Sequence, residues 1–342
     1  MGVDIGGSKV LAVRLGPTGE VEAQCKRPTP TEPMEVVAAV LAAAAEVSGP
    51  LGSGGTFPLG PAPPLGVGCP GMVDRRGRAH FSPNLHGVDG FDLRAALAEH
   101  RPPGSTTVVV NDATAACWAE HVLGAAVGAG DVVMVTMGTG IGGGLVIGGR
   151  LAVGAHGFAG EVGHMVVDPQ GPACPCGKRG CWERFASGSG LARLAREAVL
   201  AGRARRVAAL AGGEPSAVRS EHVVQAASEA DPEALSLVRH FAWWLALGLA
   251  NLANALDPAV IVLGGGLAEA GRLFLAPVRE AFDELAEAPR ARGVRIELAR
   301  LGERSGAVGA GLLAGGLLAG GLAPEGLSGE DDWLPGAGRL TS

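Results

Sequence analysis

The sequence predicts an α/β fold of two domains that face each other across a cleft. Each half of the chain begins with short apolar strands, and buried strands in both halves lead into glycine-rich turns. Three of these turns are far apart in the sequence and could converge on one ligand; they are Gly6-Gly7-Ser8, Gly138-Thr139-Gly140 and Gly264-Gly265-Gly266. A chain of 342 residues is also too long for a single typical core.

The first strands form a β-meander in this prediction. They are Gly2–Ile5, Lys9–Leu15 and Val21–Arg27. Asp4 and the Gly6-Gly7-Ser8 turn lie at the first corner, where backbone N–H groups could bind phosphate and Asp4 could hold a hydrated Mg²⁺. A tight hairpin whose glycines adopt positive φ explains the same residues, and the turn alone favours this simpler interpretation.

A helix over Pro33–Ser48 follows, because this segment is alanine-rich, and a surface excursion over Gly49–Pro64 has no hydrophobic period. Leu65–Gly68 returns as a buried strand. Asn84 then lies in an irregular polar turn, Phe81–Leu85, where its amide could contact a ligand or stabilise the turn itself.

Two polar residues follow the next buried strand, Thr106–Val110. Ligands collect at the carboxyl ends of strands in open α/β sheets, and this is where Asn111 and Asp112 fall. Asp112 could take a proton from a substrate hydroxyl, but either residue could instead cap the helix predicted over Ala113–Val122. One cap needs only one of the two side chains, so the other is left free.

The glycine-rich run Gly138–Gly144 follows a predicted strand, Val132–Met137, and leads into another over Gly144–Ile147. A hairpin is the simpler explanation of the run, but five glycines in seven residues exceed what a hairpin requires. Closely spaced glycines let backbone N–H groups turn inward on an anion, so the run is a candidate phosphate site.

A cysteine cluster is the most specific local signal in the chain. The candidate metal ligands are Cys174, Cys176, Cys181 and His164, which together suit a tetrahedral zinc site. Two carboxylates, Glu161 and Glu183, lie beside these ligands, and a metal loop over 164–183 would hold them close together. The other three cysteines are scattered in apolar surroundings, which argues against a disulfide scaffold and for a reducing compartment.

Helices dominate the rest of the chain. They are predicted over Leu191–Ala201, Arg205–Ala211, Glu221–Glu229, Pro232–Leu256, Arg272–Leu285 and Gly306–Leu318. A strand over Ala259–Leu263 opens into Gly264-Gly265-Gly266, which is either a nucleotide corner or a place of close packing. Val294–Leu298 is the last predicted strand, and Ala323–Ser342 is an acidic, flexible tail.

Charge and composition exclude several classes of function. A net charge of −6 argues against nucleic acid and anionic membranes as partners. The apolar runs are too short or too interrupted to cross a bilayer, which takes about 20 residues, and no secretion signal opens the chain. We therefore expect a soluble, cytoplasmic protein.

Taken together and in order, these motifs resemble the ROK family of repressors, open reading frames and sugar kinases. They are Asp4-Ile5-Gly6-Gly7-Ser8-Lys9, Gly138-Thr139-Gly140-Ile141-Gly142, Glu161-Val162-Gly163-His164, the cluster Cys174–Glu183, and Asp257–Gly266. The chain departs from the family pattern at Ser8, where threonine is usual, and in the Gly49–Pro64 insertion. The resemblance implies an actin/hexokinase-like (ribonuclease H-like) fold. Its N-terminal domain would span 1–112, with a C-terminal helix at 306–320 packing back on it, and its second domain 113–305.

The resemblance also implies roles for individual residues. Asp112 would be the general base, and sugar hydroxyls would bind Asn84, Asn111, Asp112, Glu161, His164 and Glu183. ATP phosphates, with Mg²⁺, would bind Asp4, Gly6, Gly7, Ser8, Lys9, Gly138, Thr139 and Gly140, and the adenosine side would bind Gly264, Gly265 and Gly266. Structural Zn²⁺ would be bound by His164, Cys174, Cys176 and Cys181. The segments Gly66–Gly71 and Pro83-Asn84-Leu85 look most like those of glucokinases within the family.

Three other interpretations remain at this point. A kinase for mannose, N-acetylmannosamine, N-acetylglucosamine or another hexose would share the same motifs. A sugar-sensing regulator of the family would need a DNA-binding helix-turn-helix, and only Met1–Val3 precede the first motif. A non-catalytic actin-like module is disfavoured by the complete Asn111-Asp112 and zinc motifs. Because the family is often dimeric, we expect a homo-oligomer, either a dimer or a tetramer.

Overall fold

The computed structural model describes residues 1–49, 62–82, 85–288 and 293–316. Three of the predictions lie outside these residues: the role of Asn84, most of the excursion over Gly49–Pro64, and the tail over Ala323–Ser342. Within the described part of the chain, no helix is both long enough and apolar enough to cross a bilayer.

Along the described parts of the chain, most strands occur in runs of three, and five of the α-helices follow one another. The strands are β1 (Gly2–Ile5), β2 (Lys9–Leu15), β3 (Val21–Pro28), β4 (Leu65–Cys69), β5 (Met72–Val73), β6 (Ala79–Phe81), β7 (Thr107–Asn111), β8 (Val132–Met137), β9 (Ile141–Ile147), β10 (Arg150–Leu151), β11 (Val260–Gly264) and β12 (Arg295–Leu298). The α-helices are α1 (Pro33–Val47), α2 (Leu93–Glu99), α3 (Asp112–Val122), α4 (Glu183–Ala186), α5 (Gly188–Leu200), α6 (Arg205–Leu210), α7 (Ser220–Ser228), α8 (Pro232–Leu256), α9 (Gly271–Leu285) and α10 (Ser305–Gly315).

The two large sheets repeat one topology. Their strand orders are β3-β2-β1-β4-β7 and β10-β9-β8-β11-β12. In each sheet three antiparallel strands form a meander, and two further strands join in parallel beside the first of the three. The predicted α/β class and the β-meander predicted for the N-terminal strands are confirmed by this arrangement, and a second meander opens the other half of the chain.

The glycine turn after β8 is shorter than predicted. Only Gly138–Gly140 forms the turn, and the glycines at Gly142–Gly144 lie within β9. A Cβ atom at Gly144 would lie 2.4 Å from Cys117 Cβ on α3, so glycine is needed for β9 to pack against this helix. Close packing therefore explains why the glycine run is longer than a hairpin requires.

The last described helix, α10, packs on the first sheet and on α3. Its backbone lies so close to β1 and β4 that a Cβ at Gly2 or Gly66 would lie 1.8 or 1.7 Å from one of its carbonyl oxygens. Gly309 makes the same kind of contact with α3, because its Cβ would lie 1.7 Å from Ala115 O. Apolar side chains from both sheets surround the crossing of α3 and α10, so the two helices lie between the sheets.

A buried carboxylate fixes the turn that leads into α10. Glu120 of α3 is fully buried, and its carboxylate accepts a hydrogen bond from the backbone N–H of Ala125 at 2.8 Å. The N–H groups of Arg300 and Leu301 also donate to it, at 3.0 and 2.8 Å, and Ser305 Oγ donates at 3.3 Å. These donors stabilise a charge that burial alone would make costly, and they hold the start of α10 against α3.

Gly309→Ala should destabilise the protein, because no space exists for a methyl group between α10 and α3. Gly315→Ala in the same helix is the matched control: a Cβ there meets nothing within 4 Å, and alanine is the better helix former. In urea unfolding we expect the first variant to lose about 2 kcal/mol and the second to gain up to about 1 kcal/mol. Equal stability of the two variants would contradict the close contact.

Candidate functional site

Asp4 and Asp112 stand together near the carboxyl ends of β1 and β7. Asp4 pairs with Gly68 of β4, and Asp112 begins α3 directly after β7. A Cβ at Gly68 would lie 3.1 Å from Asp4 Oδ1 and 3.4 Å from Asp112 Cα, so glycine leaves room for both carboxylates. At the start of α10, Gly306 leaves room in the same way, since its Cβ would lie 2.7 Å from Asp4 Cγ. The N-termini of two helices therefore approach this pair, where the helix dipole favours negative charge.

Asp4 carries a buried oxygen that lacks a donor. Its Oδ1 has no hydrogen-bond partner among the described residues. Burial raises the pKa of Asp4 to about 8; the negative charge of Asp112 adds to this effect and Lys9 opposes it. A buried carboxylate oxygen without a donor, next to a second carboxylate, has the chemistry of a Mg²⁺ ligand.

Asn111 is the residue that caps α3. Its Oδ1 accepts a hydrogen bond from the Thr114 N–H at 2.9 Å. Its Nδ2 donates to Gly71 O at 3.0 Å and to Asp112 Oδ1 at 3.1 Å. Of the two residues that the sequence could not separate, Asn111 is therefore the cap, and a catalytic role of Asp112 stays a prediction. A contact between Asn111 and a sugar stays a prediction, because the hydrogen bonds given above join its amide to other groups of the protein.

The surroundings of Asp112 raise its pKa toward neutral pH. Burial raises the pKa of Asp112 to about 6, a hydrogen bond from the Ala113 N–H lowers it, and the charge of Glu161 raises it. A carboxylate with such a pKa can accept a proton at physiological pH and release it again.

Glu161, His164 and Glu183 form one polar group. His164 Nε2 lies 4.0 Å from Glu161 Oε2, and His164 Nδ1 lies 3.9 Å from Glu183 Oε1. Burial raises the pKa of Glu161, His164 opposes this effect and Glu183 adds to it. A Cβ at Gly140 would lie 2.7 Å from Glu183 Oε2, so the group adjoins the glycine turn after β8. Because the charge of Glu161 acts on Asp112, the structure brings these four predicted residues into one polar region.

The four predicted metal ligands also come together. Their ligand atoms all lie within 4.8 Å of one another. Cys176 Sγ lies 3.5 Å from Cys181 Sγ, and Cys174 Sγ lies 3.9 Å from His164 Nδ1. Ligands of a tetrahedral zinc ion at 2.0–2.3 Å are separated from one another by about 3.3–3.8 Å, so this donor set fits zinc. His164 turns Nδ1 toward the cysteines and Nε2 toward Glu161.

The glycine turns lie at the carboxyl ends of β1, β8 and β11. Gly265, with a φ of +84°, packs against the backbone of Met137, so the turns after β8 and β11 meet. The Gly6 turn lies at the corresponding edge of the first sheet, where the Gly6 N–H donates to Lys9 O at 2.8 Å. Lys9 Nζ lies 2.5 Å from Glu303 Oε2, so this cation already has an anionic partner.

Sequence reasoning missed the residues that make room for the carboxylates. The sequence places Gly68 in a glucokinase-like segment and Gly306 in a helix of small residues, but it does not place either glycine beside Asp4. Both lie inside regular elements, where a glycine marks the close approach of another group. It also missed Arg75, whose guanidinium contacts a distant loop at Gly154 O. Nothing in the local pattern around Arg75 distinguishes it from its neighbours.

Comparisons with known proteins agree on one family. A sequence profile of the ROK family matches residues 1–316. The chain is 36% identical over 319 residues to a glucokinase from Streptomyces coelicolor, and the match covers 91% of this chain and 95% of that protein. It is also 35% identical over 318 residues to an N-acetylmannosamine kinase from Citrobacter koseri, with 92% and 97% covered.

A solved structure gives the same result for the fold. The ROK family glucokinase from Streptomyces griseus, in complex with glucose and AMPPNP, has a TM-score of 0.78 and is 36% identical. The match covers 92% of this chain and 98% of that one. The actin/hexokinase-like fold expected from the sequence motifs is confirmed by this similarity.

Proposed function

The chain belongs to the ROK family, and on this premise we propose that it is an ATP-dependent sugar kinase that phosphorylates glucose on the 6-hydroxyl. The observation that carries the proposal is the position of Asp112, which lies beside Asp4, whose Oδ1 has no hydrogen-bond partner among the described residues, and within reach of the charge of Glu161. Phosphoryl transfer to a sugar requires a ligand for the cation, a base and ligands for the sugar hydroxyls to lie side by side. Similarity to glucokinases supports glucose as the sugar.

In this proposal Asp112 is the general base. It accepts the proton of the 6-hydroxyl while that oxygen attacks the γ-phosphorus of ATP, and the bond to the bridging oxygen of the β-phosphate breaks. The products are the sugar 6-phosphate and ADP. Glu161, His164 and Glu183 bind the other sugar hydroxyls, together with Asn84 and Asn111. The base needs little further help, because positioning and charge neutralisation account for most of this kind of catalysis.

The nucleotide binds at the glycine turns in the same proposal. The turns Asp4–Lys9 and Gly138–Gly140 hold the phosphates, and Gly264–Gly266 lies on the adenosine side. Asp4 would hold Mg²⁺, which supplies positive charge at the phosphates. The contact between the turns after β8 and β11 supports a single nucleotide site.

A kinase for N-acetylmannosamine is the second candidate. The similarity to the Citrobacter koseri enzyme favours it, because identity and coverage are close to those of the glucokinase match. The two activities differ at the 2-position of the sugar, where a hydroxyl or an acetamido group must fit. This alternative keeps the same base and the same nucleotide site.

Purified protein should phosphorylate glucose with a kcat/KM at least tenfold above that for N-acetylmannosamine. An ATP-coupled assay over glucose, mannose, fructose, N-acetylglucosamine and N-acetylmannosamine, each with and without Mg²⁺, measures this preference. A tenfold preference for an N-acetylhexosamine would leave the kinase class in place and overturn the choice of glucose. No turnover of any sugar would overturn the class itself.

Asp112→Asn should lose activity and gain stability. Removal of a general base typically lowers kcat by about 10²–10⁴, while glucose binding, followed by calorimetry, should change much less. The pKa of Asp112 is raised from 3.8 to about 6 in the folded protein, so its ionisation costs stability as pH rises from about 4 to about 6, and the full cost is present above about pH 6. Asparagine cannot ionise. The variant should therefore have the higher Tm at pH 8, and this advantage should vanish by pH 4.

A variant of Asp112 that turns over within about threefold of the wild type would show that the base lies elsewhere. If Asp112→Asn lowers Tm equally at pH 8 and at pH 4, the Asp112 side chain contributes to packing and its charge does not destabilise the fold.

Zinc is part of the proposal as a structural ion, because four protein ligands leave no open position for a substrate or water. Cys174 Sγ lies 3.1 Å from Glu183 Oε1, and His164 belongs to both the metal group and the sugar group. Cys176→Ser should therefore lose zinc and raise the Kd for glucose, while the Kd for ATP changes little. Zinc content of the purified protein and calorimetry with each of the two ligands measure the three effects.

Cys25→Ser is the matched control for the zinc experiment, since Cys25 lies outside the cluster and contacts Ala43 O. It should keep both zinc and glucose affinity. A zinc-free Cys176→Ser protein with unchanged glucose affinity would show that packing alone holds His164 and Glu183.

A further inference from the structure

The β5–β6 hairpin is attached to the site at its base. Gly71, just before β5, accepts a hydrogen bond from Asn111 Nδ2 at 3.0 Å. A Cβ at Gly71 would lie 2.1 Å from Phe81 O and 2.8 Å from Ser82 Cα, so the two ends of the hairpin are in close contact. The hairpin therefore begins and ends beside the residue that caps α3.

The far end of the hairpin meets a loop of the other half of the chain. Arg75 donates from Nε and Nη2 to Gly154 O, at 2.8 and 2.5 Å. Gly157 has a φ of +96°, and a Cβ there would lie 2.7 Å from Val73 O and 2.8 Å from Arg75 N. The backbone of the loop is thus pressed directly on the backbone of the hairpin, and the guanidinium holds it there.

The loop, residues 152–160, is closed by a hydrogen bond across its base and leads directly to Glu161. Its ends are joined by a hydrogen bond from the Ala159 N–H to Val153 O at 3.0 Å. Gly160, with a φ of +100°, packs against β9, because its Cβ would lie 2.5 Å from Gly143 O. The loop tip that contacts the hairpin is therefore linked, within a few residues, to the backbone that positions Glu161.

We propose that Arg75 and Gly157 are positioning residues of the sugar site. Their contact joins the β5–β6 hairpin, which is bonded to Asn111, to the loop that precedes Glu161. It thereby sets the distance between Asp112 on one side of the site and Glu161 on the other. This inference rests on the proposed function for the identity of the ligand. Neither residue touches the sugar.

The hairpin does not need Arg75 to keep its own shape. Asp74 Oδ1 accepts hydrogen bonds from the N–H groups of Arg76 and Arg78, at 2.9 and 3.0 Å, and Asp74 Oδ2 lies 2.8 Å from His80 Nε2. Loss of the Arg75 contact should therefore separate the hairpin from the loop and leave the fold intact.

Arg75→Ala should raise the Kd and the KM of the preferred sugar about tenfold, which is within the range typical of residues that act on a site through intervening contacts. The Kd for ATP should stay within about twofold, because its site lies on other elements. Arg76→Ala is the matched control: it removes the neighbouring arginine of the same hairpin, whose backbone N–H still contacts Asp74. It should leave the sugar Kd unchanged.

Gly157→Ala tests the same contact from the loop side. The new methyl group would collide with the hairpin backbone, and the sugar Kd should rise as it does in Arg75→Ala. Gly149→Ala, at a φ of +75° with nothing within 4 Å of its Cβ, carries the same backbone strain without a collision. It controls for strain alone, and its sugar Kd should match that of the wild type.

The experiment uses the full chain, the sugar that the wild type phosphorylates fastest, calorimetry for both ligands, and circular dichroism to verify folding. If the wild type phosphorylates no sugar, the proposed function fails. If it does, and folded Arg75→Ala and Gly157→Ala keep the wild-type sugar Kd, the positioning role is wrong. A parallel loss of sugar and ATP affinity in both variants would also overturn it, because that result indicates general loosening of the structure.

Discussion

The crossing of α3 and α10 is the contact on which the candidate site depends. Glycines let the two backbones touch each other and the first sheet, and the buried carboxylate of Glu120 fastens the turn before α10 to α3. Asp112 begins one of these helices, and Gly306, near the start of the other, lies against Asp4. The spacing of the two carboxylates is therefore set by a backbone contact, which is far stiffer than a contact between side chains.

That rigidity keeps like charges close together, which opposes folding. The raised pKa values of Asp4 and Asp112 record that negative charge is unfavourable at both positions. A bound cation and a substrate hydroxyl would both relieve this unfavourable charge, so the protein without ligands is less stable than its packing alone would allow.

The sequence predicted the parts of the structure that leave a local pattern. Buried strands, the β-meanders and most helices follow from hydrophobic period and turn residues, and the cysteine cluster follows from ligand spacing. It could not say whether Asn111 or Asp112 caps α3, since both residue types are good caps. It gave no sign of the contact between Arg75 and Gly154, or of the space around Asp4 beside Gly68, because such contacts join segments far apart in the chain.

The repeated strand order has a consequence for how such a protein can change in evolution. In the first half the connection between the third and fourth strands of the sheet, β3 and β4, contains α1. In the second half the corresponding connection, between β10 and β11, contains Glu161, the cysteine cluster, Glu183 and five helices, α4 to α8. One contiguous segment therefore contains the sugar ligands proposed for that half, while the glycine turns and Asp112 belong to the sheets and to α3. Under the proposed function, substitutions confined to this segment would change the acceptor and leave the residues proposed to hold the phosphates unaltered.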